Sequence, residues 1–265
     1  MSGQSARSFP TTLILMEISS DNLAWADHHY PQYSLNTDSE KRSEQYRLGR
    51  ALLHHALIDI AGIAQTDLCH IIEFQYGEHG RPFLTPPYQN IYFNLSHTDR
   101  SVALVIGQSP VIGVDIEQIK PRRFFDRLLT RTFTEKEQHW IQTAPDFKAA
   151  FFMLWSGKEA YLKADGSGLS RLSELEFDPV NRTMHGPLEI DSNYPDADPD
   201  KKSTIKNNYL LSMTILNANE IEDKKAQSLA LLIPENAAES LQILGIKKGA
   251  FAPFKIDWRH QLQSD

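Results

Sequence analysis

The stretch "VIGVDIEQI" at residues 111–119 carries two acidic residues, one position apart, in an otherwise apolar segment. Its valines and isoleucines favour an extended strand, whose successive side chains point to opposite faces. Asp115 and Glu117 therefore share one face, while Val114 and Ile116 point to a core. Two like charges this close disfavour each other's ionised form. The stretch alone leaves two interpretations open: an edge strand with a solvated outer face, or a cation held between the carboxylates.

The segments around this stretch predict an α+β fold with short, mainly antiparallel strands. A first strand is predicted at 11–18, and 39–63 has the apolar spacing of an amphipathic helix that ends near Gly62. Residues 90–119 are predicted to form three short strands separated by the turns "SHTDR" and "GQSP". A turn is expected upstream at 77–82. Downstream we expect a long helix at 146–164 closed by Gly166, strands at 173–179, 209–216 and 227–234, and a loop at 191–208.

The composition is that of a soluble globular protein, with 41% hydrophobic and 23% charged residues. The 34 acidic and 27 basic residues give a net charge of −7, which argues against a nucleic-acid partner. One cysteine, Cys69, excludes an internal disulfide and suits a reducing compartment. The apolar run before Glu17 is too short for a signal peptide or a membrane span, so we expect a cytoplasmic protein with no membrane association.

A third acid, Glu159, lies in "WSGKEAYLK" at residues 155–163. On a helix it shares a face with Trp155 and Leu162, where an uncompensated carboxylate is costly. We therefore expect Glu159 to have a partner. The alternative is an ordinary pair with Lys163, four residues later, on a solvated helix flank.

Two further patterns have structural explanations. Thr134 and Glu137 match a capping box at a helix start, although a capping glutamate can still face a cleft. Ser96 and His97 are adjacent on a predicted strand and point to opposite faces, which argues against a serine hydrolase. The common phosphate-binding glycine loops are absent from the sequence.

The sequence contains several carboxylates and cations whose combination indicates phosphoryl-type chemistry. Three carboxylates can hold a hard divalent ion such as Mg²⁺, and nearby cations can hold phosphates. The carboxylates are Asp115, Glu117 and Glu159, and the cations are Arg81, His97, Lys158 and Lys163. The acids alone would also permit another metal-dependent phosphoester enzyme, such as a pyrophosphatase or phosphodiesterase.

The segments "GVDIEQI" (113–119) and "WSGKEAYLKADGSGL" (155–169) together resemble the paired signature of the 4′-phosphopantetheinyl transferases. "GRPFL" (80–84), "FNLSHT" (93–98) and "FTEKE" (133–137) are similar to other family segments and occur in the family's order. The resemblance implies a transfer of the 4′-phosphopantetheine arm from coenzyme A to a serine of an apo acyl or peptidyl carrier protein. The reaction would depend on Mg²⁺, with Mn²⁺ as an alternative ion, and would yield holo-carrier and adenosine 3′,5′-bisphosphate.

The resemblance also implies a role for each motif residue. Asp115, Glu117 and Glu159 would be metal ligands. Coenzyme A would be held at its phosphates by Lys158 and Lys163, and at its nucleotide and 3′-phosphate by Arg81, Ser96 and His97. Lys163 would also help the leaving group or the proton transfer. Glu137 would be the general base, with a water molecule on the ion as its rival. A coenzyme A or carrier-binding module without activity is disfavoured because all three carboxylates are present.

The length resembles that of the Sfp-like family members, which are monomers of two similar α+β halves related by a pseudo-twofold axis. The site would lie at the junction of the halves, which we expect at 1–109 and 110–265. In the first helix, Gln45 stands where family members often have an arginine, and Arg42, Arg47 and Arg50 lie nearby. Arg122, Arg123 and Arg127 of "KPRRFFDRLLTR" form a candidate docking face for an acidic carrier, or else a solvated helix flank.

Overall fold

Two sheets of mainly antiparallel strands, with helices packed on them, make up most of the described chain. The computed structural model describes residues 8–34, 40–68, 74–77, 80–121, 125–178, 183–186, 209–216, 226–247, 250–253, 256 and 260–264. The strands are β1 (Thr12–Glu17), β2 (Phe74–Tyr76), β3 (Pro82–Leu84), β4 (Tyr92–His97), β5 (Ser101–Gly107), β6 (Gly113–Gln118), β7 (Glu176–Asp178), β8 (Thr183–His185), β9 (Tyr209–Leu216), β10 (Gln227–Pro234), β11 (Gln242–Lys247), β12 (Ala250–Pro253) and β13 (His260–Ser264). The helices are α1 (Ser20–His29), α2 (Glu40–Asp59), α3 (Phe125–Thr132), α4 (Glu135–Thr143), α5 (Phe147–Asp165) and α6 (Glu235–Ala238).

The strand order of the first sheet is β12-β11-β1-β5-β4, and that of the second is β6-β10-β9-β13-β8-β7. Strands β2 and β3 form a separate hairpin. Most neighbouring strands are antiparallel, and the parallel pairs are β1 with β11 and β13 with β8. These sheets and helices confirm the α+β class.

Helix α2 packs on the first sheet through the apolar side chains that its sequence spacing predicts. Leu48, Leu52 and Ala56 are fully buried in the first core. The helix ends at Asp59, and Gly62 follows with a φ of 73°. Because this φ lies in the left-handed region, glycine suits the turn that ends the helix.

Helix α5 lies across β6, β9 and β10 of the second sheet. It begins after Asp146, whose side chain accepts a hydrogen bond from the Ala149 amide, and it ends at Gly166, which has a φ of 82°. A Cβ atom at position 113 would collide with the carbonyl oxygen of Ala160. Gly113 therefore allows α5 to approach β6 closely, and this approach brings Glu159 near the strand that carries Asp115.

The two sheets meet where the outer strand β4 of the first lies beside the outer strand β6 of the second. Side chains of β4 bind backbone amides of β6: Asn94 Oδ1 accepts from the Val114 amide at 3.2 Å, and Ser96 Oγ accepts from the Ile116 amide at 3.3 Å. Val114 and Ile116 are buried in a core that includes Leu13 of the first sheet. Their inward orientation is the one predicted from the strand alternation.

The predicted division into residues 1–109 and 110–265 stays a prediction, as does the monomeric state. The C-terminal strand β11 pairs with β1 in the first sheet, with Gln242 opposite Thr12. Cys69 and the loop predicted at 191–208 lie outside the described residues. Among the residues that are described, no helix is both long enough and apolar enough to cross a membrane.

The first core contains a histidine of α2 whose protonation affects the stability of the fold. His54 is buried, and its Nδ1 lies 3.0 Å from the hydroxyl oxygen of Tyr33. Burial lowers the pKa of His54, and His55 lowers it further, although a hydrogen bond with the Leu68 backbone acts in the opposite direction. The folded protein therefore holds His54 as a neutral imidazole more strongly than the unfolded chain does.

We expect the free energy of unfolding to fall as the pH is lowered from 7 to 5, in part because of His54. The contribution of neutral His54 is present above its unfolded-state pKa of about 6.5 and is lost as the pH falls towards its lower folded-state pKa. His54→Asn keeps an acceptor for Tyr33 and should reduce this pH dependence by on the order of 1 kcal/mol. Urea unfolding at both pH values measures it, with exposed His139→Asn as the control. An unchanged pH dependence in His54→Asn would contradict the assignment.

Candidate active site

Three carboxylates from two elements converge at the junction of β6 and α5. Asp115 and Glu117 leave the same face of β6, and Glu159 comes from α5. One oxygen atom of each residue lies within 4.8 Å of one oxygen of each of the others. We refer to these three residues as the carboxylate cluster. Such a set of oxygen donors is what a hard divalent cation prefers.

Asp115 is the most buried member of the carboxylate cluster, with 2% of its surface exposed. Its Oδ1 accepts hydrogen bonds from Ser96 Oγ at 2.8 Å and from Lys163 Nζ at 2.6 Å. Its Oδ2 is buried and accepts no hydrogen bond from any residue that the structure describes. A buried oxygen without a donor is costly, and a cation at Oδ2 would remove that cost.

The three carboxylates of the cluster lie close enough to disfavour each other's ionised form. Burial raises the pKa of Glu159 to about 7, and the neighbouring Asp115 and Glu117 raise it too, while Lys163 lowers it. Lys163 Nζ lies 3.9 Å from Glu159 Oε2, so the predicted pair of these residues is present. A divalent cation between the three carboxylates would offset this repulsion. The donor set thus fits Mg²⁺ or Mn²⁺ in both charge and chemistry.

A cavity of about 280 Å³ opens beside the carboxylate cluster. Its walls come from the β3 and β4 region on one side, and from α5 and the following loop on the other. The lining residues include Arg81, Asn94, Leu95, Glu159, Lys163 and Leu169. Both a carboxylate of the cluster and a cation therefore face this site cavity, which also has apolar walls.

Arg81 is buried in the wall of the site cavity and connects segments on its two sides. Its guanidinium donates to the carbonyl oxygens of Ala164, at the end of α5, and Pro110, before β6. The Pro110 contact is 2.9 Å long. Arg81 thus holds the end of α5 against the segment that leads into the carboxylate cluster.

Ser96 and His97, at the end of β4, point to opposite sides, as the strand geometry predicts. Ser96 is buried against Asp115, whereas His97 is exposed. Desolvation lowers the pKa of His97 and nearby Lys163 lowers it further, against the opposing effects of Asp115 and Asp99. His97 therefore belongs to the same electrostatic neighbourhood as the carboxylate cluster.

Comparison with known proteins agrees with this constellation. A family model described as the 4′-phosphopantetheinyl transferase superfamily matches residues 111–214, a range that includes the whole carboxylate cluster and Lys163. The 4′-phosphopantetheinyl transferase AcpT of Escherichia coli strain K12 is 31% identical over 151 residues, which are 56% of this chain and 69% of AcpT. The chain belongs to the 4′-phosphopantetheinyl transferase superfamily. This membership confirms the resemblance seen in the sequence.

Two further members of the superfamily align over shorter shares of their length. The 4′-phosphopantetheinyl transferase HetI of Nostoc sp. strain PCC 7120 is 30% identical over 165 residues, 60% of this chain and 64% of HetI. The 4′-phosphopantetheinyl transferase Sfp of Bacillus subtilis strain 168 is 31% identical over 132 residues, 48% of this chain and 54% of Sfp. The chain therefore spans between about half and two thirds of the length of these two relatives.

Glu137 and Lys158 form a buried ion pair away from the site cavity. The sequence resemblance implied a general base for Glu137 and a phosphate contact for Lys158. Both side chains are fully buried, with Lys158 Nζ 2.7 Å from Glu137 Oε2. Lys158 also donates to the carbonyl oxygens of Thr132 at 3.1 Å and Leu175 at 2.8 Å. Because an ammonium has three donors, Lys158 has none left for a phosphate in this arrangement.

Both carboxylate oxygens of Glu137 likewise accept hydrogen bonds from within the fold. Its Oε2 accepts from the Thr134 amide at 2.8 Å in the predicted capping box, and its Oε1 accepts from the Phe177 amide at 2.6 Å. This placement differs from the implied roles of a phosphate contact for Lys158 and a general base for Glu137, because neither side chain lines the site cavity. The apolar neighbours of Lys158 on its helical face, Leu154 and Phe151, are the sequence signal that indicates this burial.

We expect Glu137→Gln to destabilise this superfamily member by about 3–5 kcal/mol, because it leaves the buried ammonium of Lys158 without a counter-charge. The double variant Glu137→Gln/Lys158→Met should lose less stability than the two single variants added together. Urea unfolding measures the three values. Lys136→Met removes an exposed cation from an ion pair with Glu176 and should have little effect. Additive losses for Glu137 and Lys158 would contradict a coupled buried pair.

Proposed function

We propose that this chain transfers the 4′-phosphopantetheine group of coenzyme A to a serine of an apo acyl or peptidyl carrier protein, with Mg²⁺ or Mn²⁺ as the bound ion. The observation that carries the proposal is the carboxylate cluster beside Lys163 at the wall of the site cavity. The printed names of the relatives HetI, AcpT and Sfp describe them as 4′-phosphopantetheinyl transferases, which supports the same activity here.

The proposed reaction replaces a phosphoanhydride oxygen on phosphorus with an ester oxygen from serine. The serine oxygen forms a bond to the phosphorus that carries the pantetheine arm. The bond from that phosphorus to the bridging oxygen of the pyrophosphate breaks, and its electron pair leaves with adenosine 3′,5′-bisphosphate. The serine loses its proton, and the carrier gains a phosphodiester. A residue that helps must therefore hold the pyrophosphate in place, stabilise the charge on the departing oxygen or accept the serine proton.

Asp115, Glu117 and Glu159 would hold the ion, which supplies positive charge to the pyrophosphate oxygens when it is bound. Lys163 is suited to the departing group. Its ammonium lies 2.6 Å from Asp115 Oδ1, and its side chain is 30% exposed and lines the site cavity. It could therefore donate a hydrogen bond to the bisphosphate oxygen as negative charge develops there.

The serine proton needs an acceptor within the site cavity. Glu137 does not suit this role, because its oxygens accept hydrogen bonds from two backbone amides and from Lys158. Of the two candidates that the sequence left open, Glu137 and a water molecule on the ion, we therefore favour the water molecule. Arg81 and His97 remain proposed neighbours of the nucleotide, and the buried pair of Glu137 and Lys158 is assigned to stability.

The proposed docking face for the carrier lies on α3, directly after the metal-binding strand. Arg127 and Arg131 are exposed there. A groove of about 340 Å³ beside α3 is lined by Lys120 and by the aromatic rings of Phe125 and Phe147, of which Phe147 is 44% exposed. Apolar walls edged by cations suit an acidic carrier with an apolar contact surface. Arg122 and Arg123 lie outside the described residues.

The first test of the proposal mixes the protein with coenzyme A, Mg²⁺ and apo carriers of the fatty-acid, polyketide and peptide classes, and follows the carrier mass. We expect a phosphopantetheine adduct on at least one carrier. Asp115→Ala should lower the rate roughly 100-fold or more, because it removes a buried ligand oxygen. Glu176→Ala, at an exposed carboxylate outside the cluster, is the control.

The outcome against the proposal is the absence of an adduct on every carrier class. Release of phosphate from pyrophosphate, or cleavage of a simple phosphodiester, would instead favour the other metal-dependent phosphoester enzymes that the acids alone permit. Asp115→Ala activity equal to that of the unmodified chain would exclude Asp115 as a required ligand.

The second test concerns the docking face. Arg127→Glu reverses one exposed charge on α3 and should raise KM for the carrier roughly fivefold, with less than about a twofold change in KM for coenzyme A. Lys136→Glu makes the same charge change on α4 and serves as the matched control. Equal changes in the two KM values of Arg127→Glu would argue against carrier docking at α3.

A further inference from the structure

We propose that Ser96 is a positioning residue, which orients Asp115 and Lys163 for cation binding, rather than a contact to the nucleotide. The proposal rests on the metal site of the proposed function. It differs from the role that the sequence resemblance implied for Ser96, which was a contribution to the nucleotide pocket.

The hydrogen bonds of Ser96 carry this inference. Its hydroxyl donates to Asp115 Oδ1 at 2.8 Å, and it accepts from Lys163 Nζ at 2.9 Å and from the Ile116 amide at 3.3 Å. A serine hydroxyl has one donor and two acceptor positions. These contacts use all three, and the residue is only 6% exposed. Ser96 thus has no remaining capacity for a phosphate in this arrangement.

The contacts decide which oxygen of Asp115 is available to a cation. Oδ1 is engaged by the Ser96 hydroxyl and by Lys163, whereas Oδ2 has no donor among the described residues. Without the Ser96 hydroxyl, Oδ1 would retain only the ammonium of Lys163, which sits on a long and flexible side chain. The carboxylate could then rotate, and its ligand oxygen would no longer be held in one direction.

Asn94 supports the same arrangement from two residues earlier on β4. Its Oδ1 accepts from the Val114 amide at 3.2 Å, and its side-chain nitrogen donates to the Lys163 carbonyl oxygen at 3.4 Å. These bonds fix β4 against the backbones of both β6 and α5. The register that places Ser96 opposite Asp115 and Lys163 therefore has a second point of attachment.

The test measures Mn²⁺ binding to the full chain without coenzyme A, by the electron paramagnetic resonance signal of free Mn²⁺. Ser96→Ala should raise the Kd for Mn²⁺ about tenfold or more, the effect expected when a partner of a metal ligand is lost. Ser96→Thr keeps the hydroxyl and should bind within about threefold of the unmodified chain. Ser212→Ala removes another buried serine, in β9, and is the matched control.

Each result of this test has a distinct meaning. Tight Mn²⁺ binding by Ser96→Ala, with a raised KM for coenzyme A at saturating metal, would overturn the positioning role and favour a nucleotide contact. If the unmodified chain and Asp115→Ala bind Mn²⁺ equally, the metal site itself fails, and the positioning role fails with it. If Ser96→Ala does not fold by circular dichroism, Ser96→Cys replaces it, because a thiol is a weak donor of similar size. Unchanged Mn²⁺ affinity in Ser96→Cys would then count against the proposal.

Discussion

The side-chain hydrogen bonds between β4 and β6 are the constraint on which the candidate site depends. The outer strand of a sheet has unpaired amides that need acceptors. In β6 the amides of Val114 and Ile116 receive them from Asn94 and Ser96 rather than from a neighbouring backbone. Side chains of β4, and not a backbone ladder, thus join the two sheets at this point. The polar groups that join the sheets therefore lie beside Asp115, at the proposed metal site.

The two lysines of "WSGKEAYLK" lie on one helix but have different roles. Lys158 contributes to stability, and Lys163 belongs to the proposed active site. Lys158 is fully buried and neutralised by Glu137, whereas Lys163 is 30% exposed and shares Asp115 with Ser96. Burial lowers the pKa of Lys158, and its pairing with Glu137 opposes that effect. A lysine whose hydrogen bonds are all made within the fold fixes the helix in place. Lys163, at the cavity wall, keeps the freedom to meet a ligand.

Local signals in the sequence predicted individual helices, caps and strands. Contacts between distant parts of the chain could not be predicted in this way. The spacing of α2, the Thr134 capping box and the Gly166 stop each depend on neighbouring residues, so they were predictable. The shared face of Asp115 and Glu117 followed from the strand alternation, whereas the addition of Glu159 was a hypothesis that the family resemblance supported. By contrast, the Glu137 bond to the Phe177 amide and the pairing of β11 with β1 join distant parts of the chain. No periodic pattern in the sequence predicts either contact.

The end of α5 explains why the site needs both sheets. The last carbonyl groups of a helix have no partner within the helix and carry the negative end of its dipole. Here the Lys163 carbonyl accepts from Asn94 of the first sheet, and the Ala164 carbonyl accepts from the cation Arg81, which precedes β3 of the separate hairpin. The helix turn that carries Lys163 is therefore completed by residues outside its own sheet. Since Glu159 lies one turn earlier on the same helix, its position relative to Asp115 depends on that attachment as well.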